Sequence, residues 1–150
     1  MIAVIQHRAQ VNLEKMESSL ATPDPVRGRL KRVRERLLTL HKSLLDSERT
    51  AYEIVHGQIA SPGAFLQMLI NDSRFAWLGP ITKLLVEIDE KLAAKNPPAT
   101  DKDFERLISD TRALLSPSRE ANGFWKHYAG AIERDPGVAQ QHQQMEQELG

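Results

Sequence analysis

The chain has 150 residues, 41% of them hydrophobic and 27% charged, which suits one ordinary domain able to bury a core without staples. Twenty basic and twenty acidic residues cancel to zero net charge, so attraction to nucleic acid or an anionic membrane needs a local patch. There is no cysteine, which excludes disulfides, thiolate nucleophiles and every cysteine-based zinc or iron–sulfur site.

From the first residue, Ile2, Ile5, Ala9, Leu13, Met16 and Leu20 recur at helical spacing and predict an amphipathic N-terminal helix over 1–21. The opening MIAVIQHRAQ lacks a basic leader and a small-residue cleavage site, so a secretory signal is not expected there. No run of 18 apolar residues occurs, so no membrane span is expected and a cytoplasmic location is the default.

Thr22-Pro23-Asp24-Pro25 forces a turn, with Asp24 a natural N-cap and Pro25 at the first helical position. The longest helical stretch follows, Val26 to His56, closed by Gly57. Val26, Leu30, Val33, Leu37, Leu40, Leu44, Ala51 and Val55 fall on one stripe of a rod roughly 45 Å long, the stave around which a bundle would form.

Ser61-Pro62 starts a region predicted to be helical up to Ala94. Its first piece carries Phe65, Leu66, Met68, Leu69 and Ile70, apolar nearly all round, and is expected to be buried on several sides. Asn71-Asp72-Ser73 or Gly79-Pro80 breaks or kinks it. Ile81, Leu84, Leu85, Ile88 and Leu92 then form a clean stripe that Asn96-Pro97-Pro98 ends. Thr100 with Asp103 resembles a capping box before Phe104, Leu107, Ile108, Thr111, Leu114 and Leu115.

Ser116-Pro117 is expected to open another helix, with Ala121, Phe124, Trp125, Tyr128 and Ile132 on one face and Asn122-Gly123 a possible interruption. After Asp135-Pro136 only Val138, His142, Met145 and Leu149 align, and this polar tail, 136–150, is expected to be loosely docked or frayed. The expected fold is all-α: a single domain over 1–150, an antiparallel four-helix-type bundle with kinked or broken helices, a core over about 26–134 and a loosely docked C-terminal helix.

Three places could carry function. Arg27, Arg29, Lys31, Arg32, Arg34 and Arg36 form a candidate anion patch, six cations against the single acid Glu35. Cations at a helix N-terminus oppose its dipole, so something anionic should lie nearby. In an antiparallel pair, Glu87, Asp89 and Glu90 at the end of the next stave would supply it, which makes internal ion pairs the first expectation ahead of nucleic acid or a lipid headgroup.

Glu48 falls inside the apolar stripe with His41 and Tyr52 at its edge, a candidate buried polar site. A carboxylate there is paired or protonated, because burying it bare is costly. His41 lies about 10 Å from Glu48 along the axis, so any site must borrow groups from other staves, such as Arg74, Asp89, His127 or Tyr128. A polar contact that fixes helix register is the simpler expectation. Phe75 and Trp77 pack in the core with Phe124 and Trp125, or, if the helix break pushes them outward, form a candidate partner surface.

Catalytic signals are poor. Glu53-Ile54-Val55-His56 is the chain's one Glu-x-x-His pair, whereas inward di-iron sites use two, and Glu53 points away from the stripe. No His-x-x-x-His, Gly-x-Ser-x-Gly or phosphate-cradling glycine loop occurs, so no cofactor, metal or catalytic residue is expected. A helix-turn-helix around Asn71 to Ser73 is disfavoured because its first helix is too apolar to lie exposed on DNA.

Leu40-His41-Lys42-Ser43-Leu44-Leu45-Asp46-Ser47-Glu48-Arg49, with Phe65-Leu66-Gln67-Met68-Leu69-Ile70-Asn71-Asp72 and Phe75-Ala76-Trp77-Leu78, resembles a segment of small uncharacterised bacterial all-helical proteins. The resemblance covers roughly a third of the chain. It implies a bacterial cytoplasmic protein and places no residue in a catalytic role. The sequence therefore points to a non-catalytic module that associates with a protein partner or with itself through the apolar surface of Pro62 to Leu78. The alternative is a small-molecule or metal-binding enzyme built around His41, Glu48 and Tyr52.

Overall fold

The central stave begins where Asp24 accepts a hydrogen bond from the backbone N–H of Arg27 (3.0 Å) and Pro25 occupies the first helical position. This helix, α1, runs Pro25–His56 and ends at Gly57, whose φ of +85° suits glycine and strains any side chain. The computed structural model describes residues 24–118 and 123–150, so the helix expected over 1–21 lies outside the described residues. Five further α-helices follow: α2 (Pro62–Asn71), α3 (Gly79–Ala93), α4 (Asp101–Leu114), α5 (Phe124–Arg134) and α6 (Pro136–Leu149). A 3-10 helix, Ser73–Leu78, joins α2 to α3. The fold is all-α, with no strand among the described residues and no helix long and apolar enough to cross a membrane.

Local chemistry sets each junction. Ser61 Oγ accepts from the Ala64 N–H (3.0 Å) to start α2, and Asp72 Oδ1 accepts from the Arg74 N–H (2.9 Å) to start the 3-10 helix. The chain thus breaks at both expected places, Asn71-Asp72-Ser73 and Gly79-Pro80, with the 3-10 helix between. Thr100 and Asp103 cap α4 reciprocally, and the Thr100 backbone N–H, first among the causes, holds the Asp103 carboxyl below its ordinary pKa. Ser116-Pro117 does not open a helix in the described residues that follow it. Instead α5 starts at Phe124, after Gly123 in the left-handed region at φ +71°.

Leu30, Val33, Leu37, Leu40 and Leu44 of α1 are wholly buried, and α3, α4 and α6 all pack on α1. Arg34 and His41 of α1 reach Asp89 and Thr82 of α3, while Arg29 and Arg36 reach Leu149 and Gln144 of α6, so α1 runs antiparallel to both. The stripe leaves the body after Ser47: Val55, expected on the core face, is 74% exposed.

Two expectations are corrected. The C-terminal segment is not a loose tail: Val138, Met145 and Leu149 are buried against α1, and Asp135 caps α6 through the Gly137 N–H (2.8 Å). Few hydrophobes suffice because they share one face and arginines from α1 and α4 hold the helix end. Conversely, α2 is not buried on several sides. None of its residues is buried, and it packs chiefly on the 3-10 helix.

Because Met145 is completely buried, Met145→Ala should lower unfolding free energy by about 2–5 kcal/mol in denaturant titration. A loss under about 0.5 kcal/mol would restore the loose-tail description.

Candidate functional site

The basic run on α1 is largely occupied from within. Arg27 donates to the carbonyl of Leu92 (2.7 Å) near the end of α3, and Arg29 to that of Leu149 (2.7 Å) at the end of α6. Arg34 pairs with Asp89, Arg32 with Glu148 (2.7 Å), and Arg36 donates to Gln144 (2.7 Å). Asp89 also raises the Arg34 pKa through their hydrogen bond. Lys31 lines a shallow depression with Arg34, Glu35, Asp89, Leu92 and Ala93. The acids of α3 therefore answer only part of the run, and the end of α6 answers the rest. Exposed pairs of this kind contribute little each, about 0–1 kcal/mol, so their main effect is to fix which helix ends meet.

The expected polar site assembles only in part, with Glu48 and Tyr52 sharing a depression that His41 does not reach. Glu48 pairs with Arg134 of α5 (3.0 Å), which also donates to the buried Ser47 hydroxyl (3.1 Å). Arg134 was not among the residues expected to reach it. Tyr52 lies 4.5 Å from the His56 ring and 6.3 Å from that of Phe75, under the Arg74 guanidinium at 5.5 Å. Glu48, Tyr52, His56 and Arg74 share a small depression of about 190 Å³, and Arg74 is the one anticipated helper found there. His41 opens elsewhere, 3.3 Å from the Thr82 hydroxyl. Burial pushes its pKa down, favouring the neutral ring.

Phe75 and Trp77 do not form an exposed partner surface, since they are 3% and 8% exposed. Trp77 stacks on His127 at 5.5 Å and approaches Phe124 at 5.6 Å. Phe75 belongs to a separate cluster, edge-on to Phe65 at 5.9 Å. What their inward turn leaves outside is a groove of about 830 Å³ between α1, α2 and α3. His41 and Leu45 form one wall, Leu66, Leu69 and Ile70 another, and Thr82 and Val86 a third, with Phe75 among the residues lining it. Leu66, Ile70 and Val86 are 55%, 68% and 51% exposed, although all three are large and apolar. The chain's periodicity could not find this groove, because α2 reads as a buried helix.

A second feature was legible but missed. Tyr128 and His142 lie seven residues before and after Asp135, so the tight α5–α6 turn brings them together. The Tyr128 hydroxyl sits 2.7 Å from His142 Nδ1, and His142 Nε2 sits 2.8 Å from Glu146. Burial first, then the nearby Glu146 charge, pushes the Tyr128 pKa up, so it stays a phenol. With Trp125 against Tyr128 this chain ties α5 to α6. Glu53 and His56 are also engaged separately, by Arg49 with the Ile59 N–H and by Arg74. Among the described residues no three His, Asp or Glu side chains are grouped to hold a metal ion.

No family model, curated protein or solved structure matches the chain. The site must be read from its own geometry.

His41 gives a pH test with a definite sign. Its folded-state pKa lies below the ordinary 6.5, so the unfolded chain takes the proton first as pH falls. Its contribution to stability is therefore whole above pH 6.5, falls below it, and levels off beneath the lowered folded value. His41→Gln should reduce the drop in unfolding midpoint between about pH 7 and 5 relative to the unaltered chain. An equal or larger drop would contradict a half-buried, neutral His41.

Proposed function

We propose that this protein is a non-catalytic association module that receives an apolar helix of a protein partner in the α1–α2–α3 groove. The observation that carries this reading is α2: a helix rich in Phe, Leu, Met and Ile with no buried residue. A full burial of such a side chain stabilises by about 1.5–3 kcal/mol, so covering three half-exposed ones supplies roughly 1 kcal/mol apiece. A helix presenting residues at i, i+3 and i+7 is the element whose shape suits a groove between helices.

The rival enzyme reading around His41, Glu48 and Tyr52 has less support, because His41 opens to a different depression from Glu48 and Tyr52, and Glu48 already has a partner. A nucleic-acid or lipid partner for Arg27 to Arg36 is likewise less supported, since most of that run is hydrogen-bonded to α3 and α6. The absence of cysteine suits a reducing, cytoplasmic setting, and that placement is part of the same proposal.

The test compares the unaltered chain with Leu66→Asp/Val86→Asp, tagged and recovered at native abundance. Both side chains are exposed, so the fold should lose little stability. A stoichiometric partner protein with the unaltered chain and at least about a tenfold lower recovery with the variant is expected. Equal recovery with both, or a small molecule with no protein, would contradict the reading.

A further inference from the structure

The α1–α2–α3 groove carries two charges without partners among the described residues. Lys83 and Glu87 stand one turn apart on α3, and both line the groove. Neither makes a hydrogen bond or an ion pair with another described residue. Charges nearby on the same helix are answered: Asp89 by Arg34, and Lys91 by Asp103 at 3.7 Å. The same groove is lined by Leu66, Ile70 and Val86, large hydrophobics that are more than half exposed. Leu66 and Ile70 are themselves one turn apart on α2, so the outer face of α2 presents an i, i+4 apolar pair, the kind of element that a groove between helices accepts. The chain thus displays both a seat and an occupant of matching chemistry.

Opposite charges one turn apart are self-complementary under a two-fold axis, because one residue meets the other on the second copy and the reverse holds at the same time. An axis passing between Lys83 and Glu87 sets α3 antiparallel to its counterpart and gives each charge its opposite, two ion pairs at the rim. Since Leu66, Ile70 and Val86 line the same concavity, that axis also brings α2 of each copy against the groove of the other. Zero net charge leaves no long-range repulsion between the copies. A different protein would have to supply an apolar helix together with an acid and a base in matching register, whereas a second copy carries all three.

We propose that the groove is the interface of a two-fold homodimer, in which α2 of each copy occupies the groove of the other and Lys83 of each pairs with Glu87 of the other. This rests on the reading of the groove as a seat for an apolar helix, and it names that helix. The apolar contacts supply the affinity, and the ion pairs at the rim fix the register.

The test reads the mass of the full chain by sedimentation equilibrium between about 1 and 100 µM. The unaltered chain should be dimeric in the upper part of that range. Lys83→Glu and Glu87→Lys each set like charges opposite one another twice, so either alone should raise the dimer dissociation constant at least about tenfold. Mixed in equal amounts, the two variants should form a heterodimer with the unaltered affinity, and Lys83→Glu/Glu87→Lys in one chain should restore the homodimer. Such recovery excludes misfolding of the single variants as the cause. A monomer at every concentration would overturn the proposal. So would a dimer indifferent to the single changes, or one weakened by them without recovery in the mixture. A monomer here with partner loss in Leu66→Asp/Val86→Asp leaves the association reading standing with a different protein in the groove, whereas a dimer that Leu66→Asp/Val86→Asp does not weaken would remove the groove as the interface.

Discussion

The arrangement depends on a dipole problem at the start of α1. Six cations in the first third of a long helix face the positive end of its own dipole, an unfavourable placement worth tenths of a kcal/mol each near the terminus. The fold sets the negative ends of two other helices there. Leu92 and Leu149 carbonyls, left without helical partners, accept from Arg27 and Arg29, and Asp89 and Glu148 supply the formal charge. Arg112 of α4 joins Arg29 on the Leu149 carbonyl. One cluster thereby satisfies orphan carbonyls, offsets the misplaced cations and requires α3 and α6 to run antiparallel to α1.

With α3 and α6 placed by that end, the wholly buried leucines of α1 fill the interior, and α4 and α5 close it. The 3-10 helix then works as a platform. Its Trp77 and Leu78 turn into the main core, while Phe75 holds α2 through Phe65. Consequently α2 is tethered by one edge and keeps its remaining apolar surface outside. A groove results because α2 is displaced from the bundle, not because the core is incomplete. The disfavoured helix-turn-helix rested on α2 being too apolar to be exposed. It is exposed, and its apolar surface is suited to a hydrophobic contact and not to a phosphate backbone.

Much of the fold was legible in local patterns. Asp24-Pro25, Ser61-Pro62, Asp72, Thr100-Asp103 and Asp135-Pro136 each cap the helix they precede, because capping depends on neighbours within three or four residues. The docking of α6 was not legible, since its arginine partners on α1 stand more than a hundred residues away and its few hydrophobes look too sparse alone. The position of α2 escaped for the opposite reason. Periodicity reports that a face is apolar, not whether another element of the chain covers it. At Glu48 the need for a partner could be argued from burial, but its identity as Arg134 required knowing how α5 packs. His41 shares a helix with Glu48 and Tyr52 and still faces a different depression.

The most direct measurement is hydrogen–deuterium exchange on the full chain, free and in the complex recovered with its partner. If the groove is the functional surface, added protection should concentrate in residues 38–45, 62–71 and 82–87. Protection confined to Arg27–Arg36 and the end of α6, with those segments unchanged, would contradict it and return the function to the basic face.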